Sequence, residues 1–110
     1  MVMVVRRFEV WLVNFDPAIG KEIKKIRPCL IISPDDSNKY LDTIVGAPMT
    51  SMIRNYPSRI HCVFQKKKGQ VAIDQIRSFD KSRLIKKAGT LNEQVCKAVC
   101  KTLLEYFAFE

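Results

Sequence analysis

The chain has 110 residues, 47% hydrophobic and 27% charged, which suffices for one hydrophobic core and falls short of two. With 19 Lys+Arg against 11 Asp+Glu it carries a formal net charge of +8, a field that attracts polyanions such as nucleic acid or an acidic protein segment. No run of about 18 apolar residues supplies a membrane span, and the start Met1-Val2-Met3-Val4-Val5 lacks the basic lead and cleavage site of a signal peptide, so a cytoplasmic protein is expected.

Phe8 to Phe15 is rich in aromatic and β-branched residues and stops at Asp16-Pro17, which predicts a first strand. The residues that follow, through Ile26, carry Pro17, Gly20 and several charges. They form a loop longer than the roughly 2 to 5 residues of a tight hairpin, and loops of that kind carry function. Cys29 to Ser33 is a second strand, too apolar throughout to have a wet face. Pro28 fixes its own φ and pushes Arg27 toward extended geometry, which places a rigid cation at the strand mouth, a good phosphate site. Pro34-Asp35-Asp36-Ser37-Asn38 ends that strand with about one helical turn. Thr43 to Met49 is a third strand, in which Gly46 and Pro48 predict a bend, a bulge or an edge. Thr50 to Pro57 is a second polar loop.

Arg59 to Phe64 is a fourth strand, with Ile60 and Cys62 on one face and Arg59 and His61 on the other. Lys66-Lys67-Lys68-Gly69 is read as a turn, Val71-Ala72-Ile73 as the start of a fifth strand running into Asp74-Gln75-Ile76-Arg77, and Asp80 to Gly89 as holding a short extra strand. Thr90-Leu91-Asn92-Glu93 has the form of a capping box and predicts a helix start. Val95, Val99, Leu103 and Phe107 then recur at helical spacing, with Cys96, Leu104 and Tyr106 widening the apolar stripe. The expected architecture is a single domain spanning residues 1–110, mainly β: a small, strongly bent antiparallel sheet closed by a C-terminal helix.

The basic excess falls in three clusters, Lys21 to Arg27, Lys66 to Lys68 and Lys81 to Lys87, which points to a basic surface. A compact antiparallel sheet can gather Glu22 to Arg27, Thr50-Ser51 and Asp74-Gln75-Ile76-Arg77 at one rim. Together they hold cations, hydroxyls and carboxylates, a set suited to RNA cleavage. RNA brings its own nucleophile in the 2′-hydroxyl, so an enzyme need only remove that proton, stabilise phosphate charge and protonate the leaving 5′-oxygen. No metal or cofactor is required. Arg27 fits the charge-stabilising task, Glu22 is close enough in sequence to act as base or to orient it, Thr50 and Ser51 can donate to the same phosphate, and Asp74 can receive a base edge or pair with Arg77. Each residue also has a plainer structural reading as a surface charge, a turn hydroxyl or an ion pair. His61 is the single histidine and stays an outside candidate for acid or base work. Cys29, Cys62, Cys96 and Cys100 form no C-x-x-C pair, and with one histidine to help Cys96 and Cys100, no metal site is expected.

Five segments in register, Val10 to Pro17, Gly20-Lys21-Glu22, Arg27 to Ser33, Pro48 to Ser51 and Asp74 to Leu84, resemble the MazF/PemK family of toxin endoribonucleases from about Phe8 to the final helix. The resemblance implies an SH3-like barrel of the CcdB/PemK kind and a homodimer that cuts single-stranded mRNA at short sequences without metal, leaving a 2′,3′-cyclic phosphate and a 5′-hydroxyl. It also implies a cognate antitoxin whose acidic, flexible segment occupies the RNA groove, with DNA met only through that antitoxin. By position Arg27, Thr50 and Glu22 match the family's catalytic arginine, catalytic threonine and loop glutamate. Ser51, Asp74, Gln75 and Arg77 match positions near the RNA, with Lys21, Lys24 and Lys25 as added backbone contacts. The chain departs from the family in having Ile23-Lys24-Lys25-Ile26 where many members have glutamine and glycine, and Ala72 where one branch has an arginine. Two alternatives stand beside this reading: a CcdB-like DNA gyrase poison without ribonuclease activity, and a nucleic-acid-binding module without catalysis.

Overall fold

The computed structural model describes residues 3–110. Seven strands and two helices follow in the order β1 (Glu9–Asn14), β2 (Ile26–Ile31), α1 (Asp35–Tyr40), β3 (Thr43–Thr50), β4 (Arg59–Phe64), β5 (Lys67–Ala72), β6 (Arg77–Asp80), β7 (Leu84–Thr90) and α2 (Glu93–Tyr106). Single 3-10 turns at Ile73–Gln75 and Lys81–Arg83 join the later strands. All pairings are antiparallel, in the spatial order β4-β5-β3-β2-β1-β7 with β6 added on β3. The result is the expected one: mostly β, a curled half-barrel of antiparallel strands with a C-terminal helix.

Strand alternation explains why both faces of the sheet are dry. Val10 of β1 and Leu30 of β2 point to the side covered by α2, where Met49, Cys62, Val71, Ile73, Cys96 and Val99 join them. Trp11, Val13, Cys29 and Ile31 point the other way, onto Phe15, Ile44, Phe79 and Leu84. Phe15 and Phe79 meet edge to face, with ring centroids 6.0 Å apart.

β3 carries the curl. It pairs with β6 through Thr43 to Gly46, with β2 through Gly46 to Pro48, and with β5 at Met49 and Thr50. Gly46 is where the backbones approach: a Cβ there would lie 2.4 Å from Cys29 Sγ and 3.2 Å from a Phe79 ring carbon. The bend expected from Gly46 and Pro48 is real, but β3 lies in the middle of the sheet and not at an edge.

Four local expectations are corrected. β2 starts at Ile26, so Arg27 and Pro28 stand within the strand, opposite Val13 and Leu12, and not ahead of it. The turn after β4 consists of Gln65 and Lys66, both left-handed (φ 50° and 66°), and Lys67, Lys68 and Gly69 already belong to β5. Gly69 serves close approach instead of turning, since a Cβ would lie 2.8 Å from the Thr50 carbonyl oxygen. Thr90 ends β7, and the helix is capped by Asn92, whose side chain accepts the Val95 N–H at 2.8 Å. On α2 only Cys96 and Val99 are fully buried, with Val95 and Leu103 packed beside them, whereas Leu104, Tyr106 and Phe107 are exposed. No helix among the described residues is long and apolar enough to cross a membrane.

Candidate active site

The register of β2 and β3 aims two of the singled-out side chains at one place. The pairs run Ile31↔Gly46, Leu30↔Ala47 and Cys29↔Pro48. Two steps further along each strand stand Arg27 and Thr50. Regular pairing stops before them because Pro28 has no N–H to give and β3 has turned toward β5. Arg27 and Thr50 line one cleft of about 250 Å³, together with Ser51. Its floor is apolar, from Leu12, Pro28, Met49, Cys62 and Phe64, and its far wall is the β4–β5 hairpin, with Gln65, Lys67, Lys68 and Gln70.

Within this cleft both side chains are held lightly. Arg27 is exposed, and Nε donates to the Lys24 carbonyl at 3.3 Å, leaving the rest of the guanidinium fork free. Thr50 Oγ1 accepts the Met52 N–H at 3.1 Å, which fixes the oxygen and leaves the hydroxyl proton to be donated elsewhere. A planar cation and a hydroxyl proton converging on one opening can bind a phosphate from two sides.

Five of the other predicted residues, Lys21, Glu22, Asp74, Gln75 and Arg77, gather in a second cleft of about 490 Å³, lined also by Ile23, Pro48 and Ile76. Pro48 lines this one, whereas Met49 and Thr50 line the first, so the two clefts adjoin at the end of β3. The expected single rim is therefore two neighbouring clefts. Glu22 lines the second and not the cleft of Arg27. Its Oε1 accepts the Ile19 N–H at 2.6 Å, which folds the loop on itself. Gln75 holds the same loop from below: Oε1 accepts the Ile23 N–H at 2.6 Å and Nε2 donates to the Lys21 carbonyl at 3.3 Å. Lys24 and Lys25 are exposed and line neither cleft. Lys25 closes the loop base, its N–H donating to Asp16 Oδ1 at 2.8 Å and its carbonyl accepting the Phe15 N–H at 2.9 Å. Arg83 ties the same base, donating to the carbonyls of Asn14 and Asp16. Arg77 lies over the Phe15 ring, 5.7 Å from its centroid.

Asp74 pairs with Arg59 and not with Arg77. Arg59 Nε and NH2 donate to its two oxygens at 2.7 and 3.1 Å, and the Ser58 hydroxyl donates at 2.9 Å. Burial raises the Asp74 pKa, but the bonds from Arg59 and Ser58 outweigh it and hold the carboxyl below its ordinary range. The stability this contributes is full above the ordinary aspartate pKa and is lost as pH falls through the depressed one. Arg59→Ala strips both charged hydrogen bonds, and a loss of about 2 kcal/mol in urea unfolding is expected; an unchanged midpoint would contradict a structural role for the pair. Arg59 stands directly across the ladder from the fully buried Ala72, and its side chain is 7% exposed and engaged by Asp74.

His61 is exposed on β4 and lines a different depression, with Ile53, Val63, Asn92 and Val95. The Cys29 thiol is fully buried, and burial pushes its pKa far up, so it has no nucleophilic character. Sequence reasoning missed the hairpin wall and Gln70. Lys67 and Lys68 were visible as part of a basic cluster, but reading them as a turn hid their place beside Arg27.

Residues 6–107 match the family described as the PemK-like, MazF-like toxin of type II toxin-antitoxin system. Among solved structures, MazF (Form-I) from Deinococcus radiodurans is 25% identical, with a TM-score of 0.87 over 98% of this chain and 100% of that one. The MazE-MazF complex (Form-II) from the same organism is 25% identical, with a TM-score of 0.80 over 99% of this chain and 100% of that one. An endoribonuclease in complex with its cognate antitoxin from mycobacterial species, at 18% identity and a TM-score of 0.80 over 96% of this chain and 97% of that one, shares the fold.

Proposed function

Because this chain belongs to the PemK-like, MazF-like toxins of type II toxin-antitoxin systems, we propose that it is a sequence-selective, metal-independent endoribonuclease acting on single-stranded mRNA. The observation that carries the reading is the convergence of Arg27 and Thr50, from neighbouring strands, on one cleft beside a basic hairpin. A phosphodiester seated there places its non-bridging oxygens against the Arg27 fork and the Thr50 hydroxyl. The 2′-hydroxyl of the preceding ribose attacks phosphorus, the bond to the 5′-oxygen breaks, and the products are a 2′,3′-cyclic phosphate and a 5′-hydroxyl. One proton leaves the 2′-oxygen and one reaches the 5′-oxygen. Arg27 and Thr50 stabilise the charge that grows on phosphorus between those events. Arg27 is not the acid, since a guanidinium does not release its proton in this range.

The strand on either side of that phosphate lies across the end of β3. Lys21, Ser51, Asp74, Gln75 and Arg77 in the two clefts, with Lys24 and Lys25 on the exposed loop beside them, are the proposed RNA contacts, and binding there weakens with salt. The protein works as a homodimer, and its antitoxin presents a flexible acidic segment to this cationic surface. The MazE-MazF complexes of the relatives support such a partner.

For Glu22 the bond to Ile19 supports a role exerted through the loop. Glu22→Gln keeps the accepting oxygen without the charge, so it should cleave close to the wild-type rate while Glu22→Ala falls. An equal fall in both would make the carboxylate charge itself the requirement, as for a general base.

Incubating the pure protein with a mixed single-stranded RNA in EDTA tests the function. Fragments with cyclic phosphate ends are expected; intact RNA together with blocked gyrase supercoiling would replace this reading with the CcdB-like one, and salt-sensitive binding without cutting would leave a binding module.

A further inference from the structure

Gln70 is a fully buried polar side chain near the end of β5, and the three residues after it, Val71, Ala72 and Ile73, are core. Burying an amide without partners is unfavourable, and an apolar side chain would suit this position on packing alone. Its two amide atoms go to a single distant residue: Oε1 accepts the Arg54 N–H at 3.0 Å and Nε2 donates to the Arg54 carbonyl at 2.9 Å. Arg54 is the midpoint of the exposed loop 51–58, which starts directly after Thr50. Among the described residues, the loop backbone from Ile53 to Asn55 has no other hydrogen bond. Gln70 is also the residue paired with Thr50 across β3 and β5, and it lines the same cleft.

We propose that Gln70 is a positioning residue for the Thr50 side of the cleft, acting by clamping loop 51–58 at Arg54. With the clamp closed, the loop is pinned at its middle as well as at its ends. Met52 then keeps its N–H on Thr50 Oγ1, and Ser51 stays at the cleft wall. Gln75 does the same for the other loop, through Lys21 and Ile23, so one stiff stretch from residue 70 to 75 sets the position of both loops around the end of β3. This inference rests on the ribonuclease reading for its rate readout, while the clamp itself is observable without RNA.

Two variants test it. Gln70→Met conserves shape and removes both hydrogen bonds. Amide hydrogen exchange at Arg54 should lose its protection, and kcat should fall by up to about 10²-fold, the scale of a misplacement near 1 Å, with a smaller change in KM. Gln70→Glu carries the test if Gln70→Met does not fold. A neutral carboxyl can donate to the Arg54 carbonyl as the amide does, but a carboxylate opposes that carbonyl and its own burial. The rate of Gln70→Glu relative to wild type should therefore rise as pH is lowered, a dependence that simple loss of packing does not produce. Retained Arg54 protection in Gln70→Met, a wild-type kcat despite lost protection, or a pH-independent ratio for Gln70→Glu would each overturn the proposal. A wild-type protein that leaves RNA intact overturns the ribonuclease reading separately, and Arg54 exchange then decides the clamp alone.

Discussion

Arg27→Ala is expected to abolish RNA cleavage, by about 10³-fold or more, in a protein that still folds. The two halves of that expectation come from different observations. Arg27 is exposed, is absent from the ion pairs, and gives one long bond to the Lys24 carbonyl, so removing it takes little from stability, within about 0.5 kcal/mol. The same freedom leaves its fork available to a phosphate. In the transition state two negative charges are spread over the phosphoryl oxygens, and a guanidinium in a cleft with an apolar floor should stabilise them more than it stabilises the singly charged substrate. Arg27→Lys keeps the charge but not the planar pair of donors and should recover only part of the rate. Single-turnover cleavage with circular dichroism on the same preparation checks both halves, and Arg27→Ala cutting at the wild-type rate would remove the residue from the site.

Thr50→Ala should slow cleavage by about 10²-fold, the usual effect of deleting one hydrogen-bond donor to developing charge. The Met52 N–H already occupies the hydroxyl oxygen, so the useful atom is the proton, which is free to be donated to a group bound in the cleft that Thr50 shares with Arg27. Thr50→Ser keeps that proton and should retain most of the rate. If Thr50→Ala and Thr50→Ser behave alike, the hydroxyl is a turn group closing onto Met52 and nothing more. Thr50 is half-buried, with its backbone in the β5 ladder, so the fold tolerates either change.

The apolar strands were readable because burial on both faces leaves an unambiguous mark: Cys29-Leu30-Ile31 reads as a strand with no wet side, and its alternate residues do serve two cores. The alternation Ile60-Cys62 against Arg59-His61 located β4 residue for residue. What the sequence hid depends on partners far along the chain. Lys67-Lys68-Gly69 looks like a turn because polar residues around a glycine usually make one, yet the turning is done by Gln65 and Lys66, and Gly69 is present because the Thr50 carbonyl comes too close for a side chain. Thr90 and Glu93 have capping-box spacing, but pairing with Glu9 kept Thr90 in β7 and passed the cap to Asn92. Asp74 is next to Gln75 and three places from Arg77, but its partner is Arg59 across the sheet, a pairing set by register and invisible to local spacing. Gln70 and Glu9 belong to the same class: Glu9 accepts from the Trp11 indole and pairs with Lys87, and no local pattern marks either residue. The site was legible as three segments meeting near one another. Their division into two clefts, with Pro48 lining one and Met49 and Thr50 the other, depends on tertiary packing that local spacing does not show.

If a single phosphodiester is gripped at once by the Arg27 guanidinium and the Thr50 hydroxyl, the two groups act as a unit, and the decisive measurement is the single-turnover cleavage rate of Arg27→Ala combined with Thr50→Ala, compared with each change alone. The double variant should be scarcely slower than Arg27→Ala by itself, because the hydroxyl has little to donate to once the phosphate is no longer held. A double variant whose loss is the full product of the two single losses would mean that the residues act independently, and the shared phosphate site would be wrong.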